Sequence, residues 1–209
     1  MKDQVKRVFD IAVAGICLIV LAPVWLAIAI AVRLRLGGPV LFRQERLGLN
    51  GRPFTLLKFR TMTDARGPDG ELLEDDERLT TLGSSLRRTT LDELPEILNV
   101  LRSDMSVVGP RPLLPQYRSR YTPEQWRRHE VKPGMAGPVA AYGRNSLSWE
   151  EKFRLDVDYV DNHSFWTDLK ILGRSALAVV RREGISAEGH ATMPTFLGGP
   201  DGDTKGPNQ

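Results

Sequence analysis

Residues 11–32 read IAVAGICLIVLAPVWLAIAIAV, an uncharged apolar run whose reading decides the fold. As one straight helix it would be about 33 Å long, enough to cross a bilayer core of about 30 Å. A cleaved signal peptide fits poorly. The run is long for one, and AVRLRLGG stands where a small-residue cleavage site belongs. Pro23, near the middle, removes a backbone donor and clashes with the preceding turn. Both flanks are basic: Lys2, Lys6 and Arg7 before the run, Arg33, Arg35, Arg43 and Arg46 after it. Positive flanks stay on the cytoplasmic side of a membrane, so both ends are best satisfied on one face. The pattern therefore favours a re-entrant helix bent at Ala22-Pro23 over a plain transmembrane span. Backbone groups freed at such a bend need partners within the kinked helix.

The composition of the whole chain is that of a globular protein, with 41% hydrophobic and 26% charged residues. A net charge of +3 on 209 residues is too small for a nucleic-acid binder by composition, so no nucleic-acid partner is expected. Cys17 is the one cysteine, which rules out an internal disulfide and a thiolate zinc site. His129, His163 and His190 lack metal-ligand spacing and read as structural or solvated. Neither G-x-x-x-x-G-K-[ST] nor G-x-G-x-x-G occurs, so no P-loop or Rossmann turn holds a nucleotide. A Ser/His/Asp arrangement is also missing.

The expected fold class is α+β: the re-entrant helix, then a mainly helical cytoplasmic catalytic domain with a short β-hairpin. Residues 1–35 form the membrane part, 36–185 the catalytic domain and 186–209 a C-terminal tail. PVLFRQERLGLNGRPFTLLKFRTM has two apolar-rich runs around Asn50-Gly51, a hairpin signal. TDARGPDGELLEDDE, residues 63–77, reads as a mobile surface loop. A helix is expected from Thr90 to about Arg102. Leu91, Leu94, Leu98 and Leu101 would be its apolar stripe, with Asp92, Glu96 and Asn99 on the other face. Thr122 with Gln125 and Ser148 with Glu151 are capping boxes that start two more helices. In the second of these, Trp149, Phe153, Val157 and Val160 share a face. A longer helix runs from Phe165 to Glu183 and stops at Gly184. It serves either core packing or contact with the membrane surface, and the last ten residues read as disordered.

Within TTLDELPEILNV, residues 89–100, Asp92 and Glu93 are adjacent acids at the mouth of a helix. Helix capping accounts for the pair taken alone. The cations shift that balance: Arg87 and Arg88 precede it, Lys58 and Arg60 end the hairpin in KFRTM, and Arg111 follows in VVGPRPLLPQY. Carboxylates ringed by cations beside a membrane segment suit a phosphorylated lipid or nucleotide.

KFRTM, LRRTTLDELPEILNVLRSDMSVVGPRPLLPQY, VKPGMAG and SWEEKFRLDVDYVDNHSFWTDLKIL together resemble the bacterial sugar transferase family, the monotopic phosphoglycosyl transferases. The likeness covers about residues 5–185, and the compact chain resembles the minimal members. It implies transfer of a sugar 1-phosphate from a UDP-sugar to polyprenyl (undecaprenyl) phosphate with release of UMP, at the cytoplasmic face of a bacterial inner membrane. It implies that Asp92 attacks the sugar-linked phosphate and becomes an aspartyl phosphosugar. Glu93 would handle a proton or help place Mg2+, which would bind near Asp92. Lys58, Arg60, Arg87 and Arg111 would bind phosphate. The tail EGISAEGHATMPTF resembles enzymes acting on diacetamido-sugar nucleotides. Family members often carry serine before the membrane proline, where this chain has Ala22. Two further readings are a non-catalytic module binding a lipid phosphate and a magnesium-dependent lipid diphosphate hydrolase. Oligomeric state is not legible.

Overall fold

The computed structural model describes residues 2–143, 147–181 and 196–198. Helix α1 (Lys2–Val20) and helix α2 (Ala22–Leu36) meet at Leu21 and are bent by 64°. Pro23 lies in the first turn of α2, where a missing donor is tolerated. That same missing donor denies the Ile19 carbonyl the bond a continuous helix would give it. Helical bonds persist on either side, from Leu21 N to Cys17 O (2.9 Å) and from Trp25 N to Leu21 O (2.8 Å). The chain thus bends with alanine before the proline. Neither helix alone is long and apolar enough to cross a membrane; the bent pair has the length and composition together.

Strands β1 (Leu41–Leu47) and β2 (Pro53–Phe59) form the expected antiparallel hairpin, with Leu41 opposite Phe59 and Leu47 opposite Pro53. Asn50 and Gly51 make its turn at φ of 54° and 69°, the left-handed region that Asn and Gly tolerate. The acidic stretch after it is largely exposed but hydrogen-bonded, with Thr63 N donating to Arg78 O at 3.0 Å. Its end forms the short helix α3 (Asp75–Arg78). Helix α4 (Thr81–Arg88), which the sequence reading did not anticipate, follows; the Thr80 hydroxyl caps it through Gly83 N at 3.0 Å.

The helix expected from Thr90 to Arg102 is broken. Thr90 takes φ 60°, Leu91–Glu93 form a 3₁₀ turn, and helix α5 proper spans only Glu96–Leu101 behind Pro95. Its faces are also reassigned. Glu96, Ile97, Asn99 and Val100 are buried, while Leu91, Leu94, Leu98 and Leu101 are half-buried. The reason is the free edge of β2. Asn99 Nδ2 donates to Thr55 O at 2.7 Å and its Oδ1 accepts from Leu57 N at 3.1 Å. One amide side chain satisfies strand groups that would otherwise be buried unpaired.

Strand β3 (Ser106–Val108) pairs in parallel with β4 (Gly134–Ala136), each too short to show a sequence period. Helix α6 (Pro123–Trp126) carries the Thr122–Gln125 capping box. After α7 (Pro138–Tyr142), helix α8 (Trp149–Asn162) carries the Ser148–Glu151 box and buries Trp149, Phe153, Val157 and Val160. Helix α9 (Phe165–Arg181) buries Asp168, Ile171 and Ala178 and exposes Phe165, Trp166 and Leu177. The stop at Gly184 and all of the 186–209 tail except residues 196–198 lie outside the described residues. Phe196, in the tail, is buried among Tyr117, Trp149 and Phe153.

The hydrophobic core runs across residue 35. Ala14 of α1 is buried with Leu56, Val100, Met105 and Ile171, and Ile28 and Val32 of α2 with Phe59 and Leu86. The buried Asp10 carboxylate accepts from Ser106 Oγ and Val107 N, both at 2.9 Å. The membrane-type helices are therefore built into the same body that carries Asp92.

Candidate active site

The 3₁₀ turn Leu91–Glu93 projects two neighbouring acids that meet different fates. Glu93 is gripped. Lys58 Nζ on β2 lies 2.6 Å from its Oε1, and Arg111 holds both oxygens, through NH2 to Oε1 and through NH1 to Oε2 at 3.4 Å. These two cations hold the Glu93 carboxyl well below the usual carboxylate range, despite burial that works the other way. Lys58 also reaches Glu96 Oε1 at 3.3 Å.

Asp92 is buried, at 8% exposure, and among the described residues no hydrogen bond or ion pair closes on its carboxylate. Burial first and Glu93 second push its pKa up, while Lys58, Arg111 and Arg87 pull it back. The fields of three cations converge on an acid that none of them pairs. Glu93 occupies Lys58 and Arg111 directly, and Arg87 is anchored instead to Thr61 Oγ1 through Nε at 3.1 Å. The positive field at Asp92 comes from these side chains. The 3₁₀ turn separates Asp92 from the start of α5, so the helix end expected there is displaced.

The structure brings Lys58, Arg87, Asp92, Glu93 and Arg111 together and places Arg60 apart. Arg60 donates to Met62 O (2.9 Å), Gly38 O (3.0 Å) and Asp64 Oδ2 (2.5 Å), tying the end of β2 to the chain around it. Two residues escaped the sequence reading. Glu96, read as outward-facing, is buried against Lys58 and pushed up to about 7, by burial and then by Glu93. Its spacing of three from Glu93 puts both on one side of a helical turn, and that was the available signal. Arg46, read as a membrane flank, lies close enough to the site for its pKa to be lowered to about 10, by burial and then by Arg111. Of the histidines, His129 and His163 take up backbone carbonyls, Trp126 O at 3.1 Å and Val160 O at 2.9 Å; His190 lies outside the described residues.

A metal would have few protein ligands here. Among the described residues no three His, Cys, Asp or Glu side chains gather into a cage. Magnesium keeps its waters and uses one or two carboxylates plus substrate phosphates. An unpaired Asp92 fits that demand, and Glu93, already gripped by two cations, fits it less well.

A family model described as bacterial sugar transferase matches residues 1–182. The chain belongs to the bacterial sugar transferase family. This sugar transferase is 52% identical over 196 residues to EpsL, a sugar transferase of Bacillus subtilis (strain 168), covering 94% of this chain and 97% of that protein. It is 42% identical over 183 residues to the UDP-glucose:undecaprenyl-phosphate glucose-1-phosphate transferase of Caulobacter vibrioides, covering 83% and 68%. The undecaprenyl-phosphate galactose phosphotransferase of Salmonella typhimurium is 35% identical over 196 residues, but the matched part is only 41% of that longer protein.

Proposed function

We propose that this sugar transferase moves a sugar 1-phosphate from a UDP-sugar to a polyprenyl phosphate, with Asp92 as the nucleophile. The observation that carries the reading is the division of labour between the two acids: Glu93 takes the cations, and Asp92 is left buried and unpaired. An Asp92 oxygen attacks the sugar-bearing phosphorus of the donor. The bond from that phosphorus to the UMP oxygen breaks, UMP leaves, and an aspartyl phosphosugar remains. A phosphate oxygen of the lipid then attacks the same phosphorus and expels the Asp92 carboxylate. Two anions meet in each step, so the barrier is largely electrostatic. Lys58, Arg87 and Arg111 offset that repulsion by their charge, and the guanidinium N–H groups that Glu93 and Thr61 do not use suit phosphate oxygens. Arg60 supports the loop below them. A magnesium ion held by Asp92 and the diphosphate would supply further charge neutralisation.

The bent α1–α2 pair seats the chain in one leaflet of the bacterial inner membrane, with Asp92 on the cytoplasmic side. A soluble nucleotide and a lipid head then reach one carboxylate in turn. The relatives' names carry both glucose and galactose, so the donor is to be sought among UDP-hexoses and UDP-diacetamido sugars alike.

The deciding assay combines purified protein, magnesium, undecaprenyl phosphate and a panel of UDP-sugars. Multiple-turnover UMP release should require both the lipid and the correct sugar, with no more than one UMP per enzyme when the lipid is left out, and Asp92→Asn should lower the turnover rate by about a thousandfold or more. Protein mixed with the correct donor alone should gain the mass of one phosphosugar on Asp92. UMP release that survives Asp92→Asn would refute the nucleophile. Phosphate release without UMP would point to a hydrolase, and lipid binding without turnover to a binding module.

A further inference from the structure

Arg111 reaches Glu93 from a segment whose main chain is held at successive residues. Gly109 N donates to Ala136 O at 2.9 Å, and Pro110 O accepts from Gly134 N at 3.0 Å. Arg111 O accepts from Arg128 NH2 at 2.7 Å, and Pro112 O accepts from Arg46 NH1 at 3.2 Å. Prolines on both sides restrict the backbone at Arg111 further. The two segments approach so closely that a Cβ on Gly134 would stand 2.0 Å from Gly109 N.

One of these clamps is made by a buried charge. Arg128 is 3% exposed and Asp156, on α8, 2%. Arg128 donates to Asp156 Oδ2 twice, from Nε at 3.0 Å and from NH2 at 2.6 Å, and the same NH2 serves Arg111 O. The other Asp156 oxygen, Oδ1, is buried with no partner. A buried ion pair with an unsatisfied oxygen is a poor stabiliser, since well-packed apolar residues commonly do as well or better. What the pair does supply is direction: a planar fork, fixed at one end by a carboxylate, aims one N–H at one carbonyl.

We propose that Arg128 and Asp156 are positioning residues for the sugar-phosphate transfer, acting through the main chain of Arg111 to hold its guanidinium over the Asp92–Glu93 site. This rests on the activity proposed above. Neither residue touches the acids; their effect passes through Arg111 alone. Displacing a phosphate-binding group by about 1 Å is enough to cost about a hundredfold in rate.

The test uses the full chain in nanodiscs, with UMP release as readout and circular dichroism with thermal melting as the folding check. Arg128→Lys keeps the charge but loses the fork, and Asp156→Asn keeps the volume but loses the anchor. Each should lower kcat by about ten- to a hundredfold while KM for the UDP-sugar changes less than threefold. Arg111→Lys should lower kcat as well, and adding Arg128→Lys to it should cost less than a further twofold. A purely structural role would give additive losses that track melting temperature, and that result overturns the proposal. So does near wild-type activity in both variants, or failure of both to fold. Wild-type UMP release no higher than that of Asp92→Asn would instead refute the activity on which the proposal stands.

Discussion

Among single residues, Glu96 has the sharpest consequence. It shares Lys58 with Glu93, and one ammonium cannot fully satisfy two buried carboxylates. Glu93 also has Arg111, so Glu96 is the acid that keeps a proton, and it is pushed up from 4.5 to about 7. Between those values the folded chain holds a proton that the unfolded chain has released. Stability therefore falls as pH rises through that window, and the loss is complete above about 7. Glu96→Gln mimics the protonated acid. It should raise the unfolding free energy at pH 8 by roughly 1–3 kcal/mol and leave it nearly unchanged at pH 4.5. Chemical denaturation at the two pH values checks this, and equal effects at both would show that Glu96 does not titrate as described. In the sequence the leucine pattern outweighs the Glu93–Glu96 spacing that would have placed this acid. Alternation of leucines and polar residues in LDELPEILNVL suggests an outward Glu96, and only the edge of β2 against α5 turns it inward.

At the scale of elements, local chemistry was legible and packing by small residues was not. The Asn50-Gly51 turn and both capping boxes have residue types that almost no other geometry uses, and they form where expected. Helix α4 has no comparable signature, because TLGSSLRR mixes a glycine and two serines with few apolar residues. What holds it is contact. Thr80 N and Oγ1 both donate to Thr61 O, at 3.3 and 3.1 Å, and Arg87 Nε to Thr61 Oγ1 at 3.1 Å. Gly83 permits that approach, since a Cβ there would stand 1.9 Å from Thr61 O. Gly83→Ala must push α4 off Thr61 and carry Arg87 with it. The expected cost is about 1–3 kcal/mol in stability and about ten- to a hundredfold in kcat/KM for the UDP-sugar. Gly173→Ala, on α9 with nothing within 4 Å of the new carbon, is the control; it should stabilise by up to about 1 kcal/mol and spare activity. Thermal melts and UMP assays on the pair measure both effects, and a harmless Gly83→Ala would show that α4 does not depend on this contact.

For the whole molecule, the question is what holds the 64° bend between α1 and α2. The proline alone would be a weak hinge, since a proline inside a helix costs about 3 kcal/mol. Straightening would also strip contacts on both sides of it. Ile28 and Val32 would leave Phe59 and Leu86, at about 1.5–3 kcal/mol for each side chain. Alternatively α1 would move, and Asp10 would lose Ser106 and Val107, leaving a buried amide unpaired at about 1–3 kcal/mol. Arg7 would also release the carbonyls of Val100 and Leu101, which it holds at 2.7 and 2.9 Å. These losses exceed what a restored helical bond returns, so Pro23→Ala should keep the bend. Paired reporters test this in a Cys17→Ser background: Gln4→Cys and Gly38→Cys, where an added Cβ meets nothing within 4 Å, labelled in intact and opened cells by an impermeant maleimide. With the bent pair seated in one leaflet as proposed, both sites should react only in opened cells, with or without Pro23, and UMP release should stay within about threefold of wild type. Adding Asp10→Ala to Pro23→Ala removes an anchor of α1, and this double variant is where a span should begin to appear. If Pro23→Ala alone moves one reporter to the outer face, the proline and not the core packing sets the topology.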